Sequence, residues 1–441
     1  MKRPNIIYIV ADDLGFADLG CYGGRSASFG QVSPNIDNLA LNGLRFTDGY
    51  SNAPVCSPTR FALMTMRYQY RLRGGMDEPI NSKSKGSTVL GLPTNIPTLP
   101  SLLKDAGYST SLIGKWHLGY PPTFGPLRSG YEEFFGIMAG GVDYFTHCSG
   151  SGDHDLFIGE EEHHEIGYIT DIFSLRACEY IRSKASESHN GKPFFLSLHY
   201  TAPHWPWETR EDSKISNKVS KNLFHLDGGN IHTYQKMIHH MDEGIGKLIK
   251  TLEENNLDRN TLIVFTSDNG GERFSDNWPL VGGKMDLTEG GIRVPWIVKW
   301  PEMIPSNQTT SQQCMTMDFS RTLLEIGGGA PHKDFPLDAI SIKEVLFNPL
   351  NTFYRPLYWR MSHKIQRAFR SDHWKYLSIE GNEYLFDLTN DARERANLAY
   401  KYPEQLAKMR EDWKKWELTM PPVPDDASTS IGYSDKDMPS R

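Results

Sequence analysis

Cysteine is scarce in this chain. There are five in 441 residues, Cys21, Cys56, Cys148, Cys178 and Cys314. An odd, scattered set excludes a disulfide framework, and a chain this long buries enough surface to need none. Positive charge is not in excess. Lysine and arginine total 47 against 54 acidic residues, a net charge of −7. That excludes a broad nucleic-acid footprint, so any basic site must be local. No apolar run approaches the roughly 18 residues of a membrane-crossing helix, which predicts a soluble chain with no membrane partner. Internal repeats and low-complexity tracts are also missing. The N-terminus, Met1-Lys2-Arg3 ahead of Ile6–Ala11, imitates a secretory leader. The apolar stretch is too short, Pro4-Asn5 interrupts it and Asp12-Asp13 ends it. We read a buried strand there and no signal peptide in this chain. The compartment stays open: cytoplasmic, or periplasmic or secreted if a leader has been removed.

What is present is an alternation of β-rich apolar runs with helical patterns, which predicts an α/β fold with a large, mostly parallel central sheet flanked by helices. The expected strands are Asn5–Val10, Ser109–Ile113, Pro193–His199, Thr261–Thr266 and Arg293–Lys299. Helices are expected at Pro34–Asn42 and Leu99–Ala106, with Gly43 and Gly107 as C-caps, and at Ile169–Ala185, Ile231–Asn255 and Phe319–Ile326. After about residue 345 the texture changes to short alternating strands, Leu357–Met361, Gln366–Arg370, Trp374–Ile379 and Glu383–Asp387, followed by a closing helix at Pro403–Leu418. The expected organisation is a main domain over 1–345, a smaller C-terminal α+β domain on an antiparallel sheet over 346–420, and a wrapping or loose tail over 421–441.

The reactive residues cluster by position. In parallel sheets, sites lie beyond the carboxyl ends of the strands. Here successive strands end in Asp12-Asp13, in Gly114-Lys115-Trp116-His117, in Ala202-Pro203-His204 and in Ser267-Asp268-Asn269-Gly270. Each alone reads as a helix cap or turn; four together point to one site. Asp12, Asp13, Asp268 and Asn269 offer hard oxygens, which select Ca²⁺ or Mg²⁺ over zinc. In Cys56-Ser57-Pro58-Thr59-Arg60, Pro58 suits the first turn of a helix running to about Arg67. Cys56 would then lie at a helix N-terminus, where N–H groups attract an anion, with Arg60 one turn in. On its own, Cys56 reads first as a buried structural cysteine.

Together these motifs resemble those of the type I, formylglycine-dependent sulfatases of the alkaline phosphatase-like superfamily. Cys56-Ser57-Pro58-Thr59-Arg60 is similar to the Cys-x-Pro-x-Arg signature. Asp12-Asp13-Leu14-Gly15, Gly114-Lys115-Trp116-His117-Leu118-Gly119 and Ser267-Asp268-Asn269-Gly270-Gly271 resemble its companions. Lys284 ahead of Gly290-Gly291-Ile292-Arg293-Val294-Pro295 matches the last active-site lysine, and Phe386–Ala399 resembles the C-terminal domain.

The resemblance covers Pro4 to about Met420 and implies a mechanism. Cys56 would be oxidised to Cα-formylglycine by a formylglycine-generating or anaerobic sulfatase-maturating enzyme. One hydroxyl of its hydrated aldehyde attacks sulfur and displaces the alcohol; the other, once deprotonated, collapses and expels sulfate. One calcium ion, held by Asp12, Asp13, position 56, Asp268 and Asn269, would bind a sulfate oxygen and acidify the attacking hydroxyl. By motif match Arg60 orients the hydrate, His117 takes the proton during elimination, Lys115 and Lys284 neutralise sulfate oxygens, and His204 protonates the leaving oxygen. Residues 1–345 would be the catalytic domain. Thr59 and Met66-Arg67 depart from the residues the family prefers.

The substrate side is less marked. Ala139–Phe157 is irregular and follows the Lys115/His117 strand, so Asp143 and His147 are candidate substrate contacts, with Trp205 a candidate stacking residue. An ordinary surface loop and core packing explain these residues as well. Arg67, Arg71, Arg73, Lys83 and Lys85 form a local basic run that could hold further sulfates or be solvated surface, and Glu160–Glu165 with His163 and His164 reads as a solvated charged loop. We expect a sulfated oligo- or polysaccharide as substrate. The alternative is an arylsulfatase, or a phosphonate or phosphodiester hydrolase of the same superfamily. Related two-metal phosphatases place Asp-His where this chain has Asp268-Asn269.

Overall fold

Strand β1 (Asn5–Ala11) is wholly buried, and its side chains alternate between two hydrophobic cores. Ile6, Tyr8 and Val10 join one, and Ile7, Ile9 and Ala11 the other. A strand apolar on both faces belongs in the middle of a sheet covered on both sides, and that is where the computed structural model places it. The structure describes residues 2–24, 30–220, 223 and 228–430. The end of the expected tail, 431–441, lies outside these.

The strands are numbered in chain order. After β1 come β2 (Leu44–Phe46), β3 (Gly49–Tyr50), β4 (Ser109–Lys115), β5 (Glu133–Ile137), β6 (Phe157–Ile158) and β7 (Glu161–Glu162). Then follow β8 (Phe194–His199), β9 (Thr261–Ser267), β10 (Trp296–Lys299), β11 (Gln308–Thr310) and β12 (Cys314–Met315). Among the described residues the main sheet has ten strands, in the order β11-β2-β10-β9-β1-β8-β4-β5-β6-β7. Its five inner strands, β9 to β5, are parallel. Strand β10 corrects the sequence reading: it starts at Trp296 rather than Arg293, and it runs antiparallel to β9.

Helices Ile169–His189 and Ile231–Glu254 cover one face; Cys56–Thr65, Leu99–Asp105 and Thr316–Ile326 cover the other. Gly107 does close its helix with a left-handed backbone, φ +89. Gly43 does not, because Asn42 caps the Pro34–Leu41 helix. A Cβ at Gly43 would lie 2.3 Å from the Val298 carbonyl oxygen, so close approach to β10 is what requires glycine there. No described helix is long and apolar enough to cross a membrane.

The C-terminal region forms an antiparallel sheet of β13 (Leu357–Met361), β14 (Gln366–Ser371), β15 (Trp374–Ile379) and β16 (Asn382–Asp387), packed by the Pro403–Glu417 helix. It shares a continuous hydrophobic cluster with the Cys56–Thr65 face of the main sheet. Trp359 Nε1 donates to Ser51 O at 3.0 Å, just upstream of Cys56. The tail wraps as far as it is described, with Glu78 N donating to Ser428 O at 2.8 Å and Ser430 N to Glu78 O at 2.9 Å.

Candidate active site

Strands β9, β1, β8 and β4 are neighbours and parallel, so their carboxyl ends share one edge of the sheet. That brings together residues more than a hundred positions apart. Asp12 and Asp13 leave β1, Lys115 ends β4, His204 follows β8, and Asp268 and Asn269 follow β9. The helix beginning at Cys56 points its N-terminus at this edge: the Cys56 thiol and the Asp12 and Asp268 carboxylates lie within 4.8 Å of one another. All are buried.

Arg60 clamps the cluster from one helical turn further on. Its Nε and Nη2 both donate to Asp268 Oδ2, at 3.1 and 2.8 Å, and its Nη1 donates to Lys115 O at 3.1 Å. Lys115 Nζ donates to Asp12 Oδ2 at 2.5 Å, and Lys284 Nζ to Asp13 Oδ2 at 2.7 Å. Asn269 Nδ2 donates to Asp13 Oδ1 at 2.7 Å, which turns its own carbonyl oxygen elsewhere. Asp13 sits in the left-handed region at φ +62, a strained conformation that tertiary contacts must hold. Burial and the adjacent Asp268 push the Asp12 carboxyl up to about 8. Burial also raises Asp13, but Lys284 and His204 outweigh it and hold it at about 2.

Two buried oxygens, Asp12 Oδ1 and Asn269 Oδ1, have no hydrogen-bond partner among the described residues. Buried acceptors in a native fold are nearly always satisfied. Unpaired oxygens beside two mutually repelling carboxylates therefore fit a hard cation. The Cys56 thiol groups with Asp12 and Asp268, and the His204 ring with Asp12 and Asp13, each set within 4.8 Å, so oxygens still dominate the donor set.

Two histidines have assignable tautomers. His117 Nε2 lies 2.7 Å from Ile80 O. A carbonyl only accepts, so Nε2 carries the proton, and Nδ1 is a buried, unpartnered lone pair. Burial and Lys115 hold its pKa well below the usual histidine value. His204 Nδ1 lies 2.6 Å from Trp205 O, so its Nε2 faces inward, 3.2 Å from Lys284 Nζ and 3.5 Å from Asp13 Oδ2. Burial and Lys284 likewise depress its pKa.

Some parts of the site were not among the candidate catalytic residues read from the sequence. His199, the last residue of β8, places Nδ1 3.3 Å from Arg60 Nη1; a histidine ending a central strand was the available clue. Gly140 and Gly141 pack on the His117 and His204 rings. A Cβ at Gly140 would lie 2.5 Å from His117 Cε1, and one at Gly141 3.3 Å from His204.

Other expected residues are used internally. Asp143 is fully buried, and its Oδ1 accepts from Phe145 N, Thr146 N and Ser216 Oγ. His147 Nε2 bonds Gly167 O at 3.1 Å. Both side chains are thus held in place by hydrogen bonds within the protein. Trp205 is half-buried, with its ring centroid 4.1 Å from that of His204. Of the basic run, Arg71 pairs with Asp338, Arg73 with Asp77 and Asp426, and Lys85 with Asp153.

The sulfatase family matches residues 4–329 of this chain. The chain belongs to the sulfatase family. A second family, described as the C-terminal region of N-sulphoglucosamine sulphohydrolase, matches residues 283–418 of this sulfatase. The enzyme is similar to N-acetylgalactosamine-6-sulfatase of Homo sapiens, at 30% identity over 84% of this chain and 71% of that protein. It is also similar to arylsulfatase J of Mus musculus, at 28% identity over 96% and 77%. Among solved structures it is similar to Ps i-CgsB in complex with k-i-k-neocarrahexaose. The TM-score is 0.84 and the identity 32%, covering 96% of this chain and 94% of that one.

Proposed function

We propose that this sulfatase removes sulfate from a sulfated oligo- or polysaccharide. Cys56, matured to Cα-formylglycine, is the nucleophile, and one Ca²⁺ is held by Asp12, Asp13, Asp268, Asn269 and position 56. The observation that carries this reading is the convergence of the Cys56 thiol with two buried carboxylates, next to two unpartnered buried oxygens. The carbohydrate class is supported by relatives: one is named N-acetylgalactosamine-6-sulfatase, and another is solved with k-i-k-neocarrahexaose. When present, the cation supplies positive charge to a sulfate oxygen, and the hydrated aldehyde supplies one hydroxyl to attack and one for release.

The chain's own residues do the rest. The N-terminus of the ten-residue Cys56–Thr65 helix favours the negative charge of sulfate. Lys115 and Lys284 place ammonium groups against Asp12 and Asp13, where they can also meet sulfate oxygens. Arg60, held on Asp268, fixes the position of residue 56 one turn before it. His204 keeps Nδ1 on Trp205 O and presents Nε2 to the leaving oxygen; the anionic substrate raises its depressed pKa and favours the protonated donor. His117, neutral and aimed by Ile80 O, offers Nδ1 as the base for sulfate release. Cys56 is only 2% exposed, so a maturating enzyme must meet it before the fold closes.

The test is sulfate release from a panel of sulfated oligosaccharides, an activated aryl sulfate and a phosphodiester. It is paired with mass spectrometry of the Cys56 peptide. Active preparations should carry the aldehyde, and Cys56→Ser should bind substrate without turning over. Full multiple turnover by Cys56→Ser would refute the nucleophile, and preference for the phosphodiester would refute the substrate class.

A further inference from the structure

The main sheet ends in a two-stranded hairpin, β6 and β7, joined by Gly159-Glu160, with Gly159 left-handed at φ +62. The pairing continues past the strands, as His163 N donates to Leu156 O at 2.8 Å. Side chains alternate along an extended strand. His163 therefore turns one way, against Phe135 and Glu165. Glu162 and His164 turn the other way, where they meet His154 arriving from the 139–155 segment.

Three donor atoms converge on this face. His154 Nδ1 lies 3.3 Å and His164 Nε2 3.2 Å from the same atom, Glu162 Oε1, and all three lie within 4.8 Å of one another. The two rings are 4.1 Å apart. We propose that His154, Glu162 and His164 form a metal site, separate from the catalytic centre, that takes a divalent cation of the Zn²⁺ class.

The spacing fits a shared cation. Charge-assisted N–H···O bonds are about 2.7–2.9 Å long, and both contacts here are longer. Ligands about 2.0–2.1 Å from a tetrahedral ion stand about 3.3–3.4 Å apart, which matches both edges. His154 Nδ1 is buried yet makes no hydrogen bond, so its lone pair has no other use among the described residues.

Donor type selects the metal. Two imidazoles and one carboxylate suit Zn²⁺ and its borderline neighbours, whereas the oxygen-rich catalytic cluster suits Ca²⁺ or Mg²⁺. Side chains of His164 and Glu162 are 73% and 51% exposed, which leaves entry and a fourth, water-filled position. The site would also tie the hairpin to the end of the 139–155 segment. There Asp155 Oδ2 accepts from Ala139 N at 2.7 Å, one residue before the glycines that pack on His117 and His204.

Full-length protein is stripped with chelator, saturated with excess Ca²⁺ to fill the oxygen site, and titrated with Co²⁺. The expected result is one Co²⁺ per chain with the intense visible absorption of a four-coordinate ion, displaced by Zn²⁺. His164→Ala and Glu162→Gln should each weaken binding at least about 100-fold while leaving circular dichroism unchanged, since both side chains are exposed. Absence of the four-coordinate band, or a band that survives both substitutions, would overturn the site.

Discussion

Gly140 offers a sharp test of how His117 is aimed. Neither Gly140 nor Gly141 has a left-handed backbone, so alanine is conformationally allowed at both. At Gly140 the added Cβ would stand 2.5 Å from His117 Cε1 and 2.6 Å from Nε2. Ordinary carbon contacts are about 3.5–4.0 Å, so the ring must retreat by about 1 Å. That retreat breaks the 2.7 Å bond from Nε2 to Ile80 O, the contact that fixes the tautomer and leaves Nδ1 unprotonated. A misplacement of about 1 Å can cost about 10²-fold in rate. At Gly141 the added Cβ would stand 3.3 Å from the His204 ring, a misfit of a few tenths of an ångström, and the expected loss is under about tenfold. The assay is pre-steady-state release of the leaving alcohol alongside sulfate. If His117 serves sulfate release, Gly140→Ala keeps a first-turnover burst of alcohol and loses steady-state turnover about 100-fold. Gly141→Ala slows the burst itself, modestly. Gly140→Ala turnover within about threefold of the parent would refute the aiming argument, as would a loss that merely tracks the folded fraction.

His204→Ala should lose about 10²–10⁴-fold on a sulfated sugar, whose alkoxide needs a proton, and far less on an activated aryl sulfate; equal losses would make His204 a sulfate-positioning group only. Glu208 is buried beside Asp143, and burial followed by that neighbour raises its pKa to about 9. The folded state therefore holds a proton that the unfolded chain releases near the ordinary carboxylate value, so stability falls as pH rises from about 4.5 towards 9. Glu208→Gln should flatten that fall and leave the protein more stable at pH 8–9 in denaturant titrations; an unchanged slope counts against the raised Glu208 pKa. Lys375 is fully buried between Glu289, at 2.9 Å, and Glu394, at 2.8 Å. Lys375→Met strands both carboxylates and should cost about 3–5 kcal/mol in urea unfolding; a loss below about 1 kcal/mol would show that the pair escapes to water.

The parts legible in the residues alone are those with local causes. Long apolar runs such as Ile6–Val10 and Leu262–Phe265 mark strands buried on both faces. The alternation in Leu357–Met361 and Trp374–Ile379 marked those two strands, both found with the expected bounds. The grouping of Asp12-Asp13, Lys115, His204 and Asp268-Asn269 at strand ends was also legible, because parallel strands send all their carboxyl ends to one edge. Strands of two or three residues, such as β3, β7 and β12, are too short for any period to show. The antiparallel direction of β10 depends on the partner it meets, and direction leaves no mark in an apolar run. Gly43 looks like a helix cap in sequence, yet it answers to a carbonyl 255 positions away, in Val298. The same holds within the site. That Asp143 accepts from Ser216, that His117 leans on Ile80, and that Gly140 must be small are contacts between separate segments. Residue type can nominate a group for chemistry, but the neighbours that set its charge and aim are chosen only when the strands have found their order.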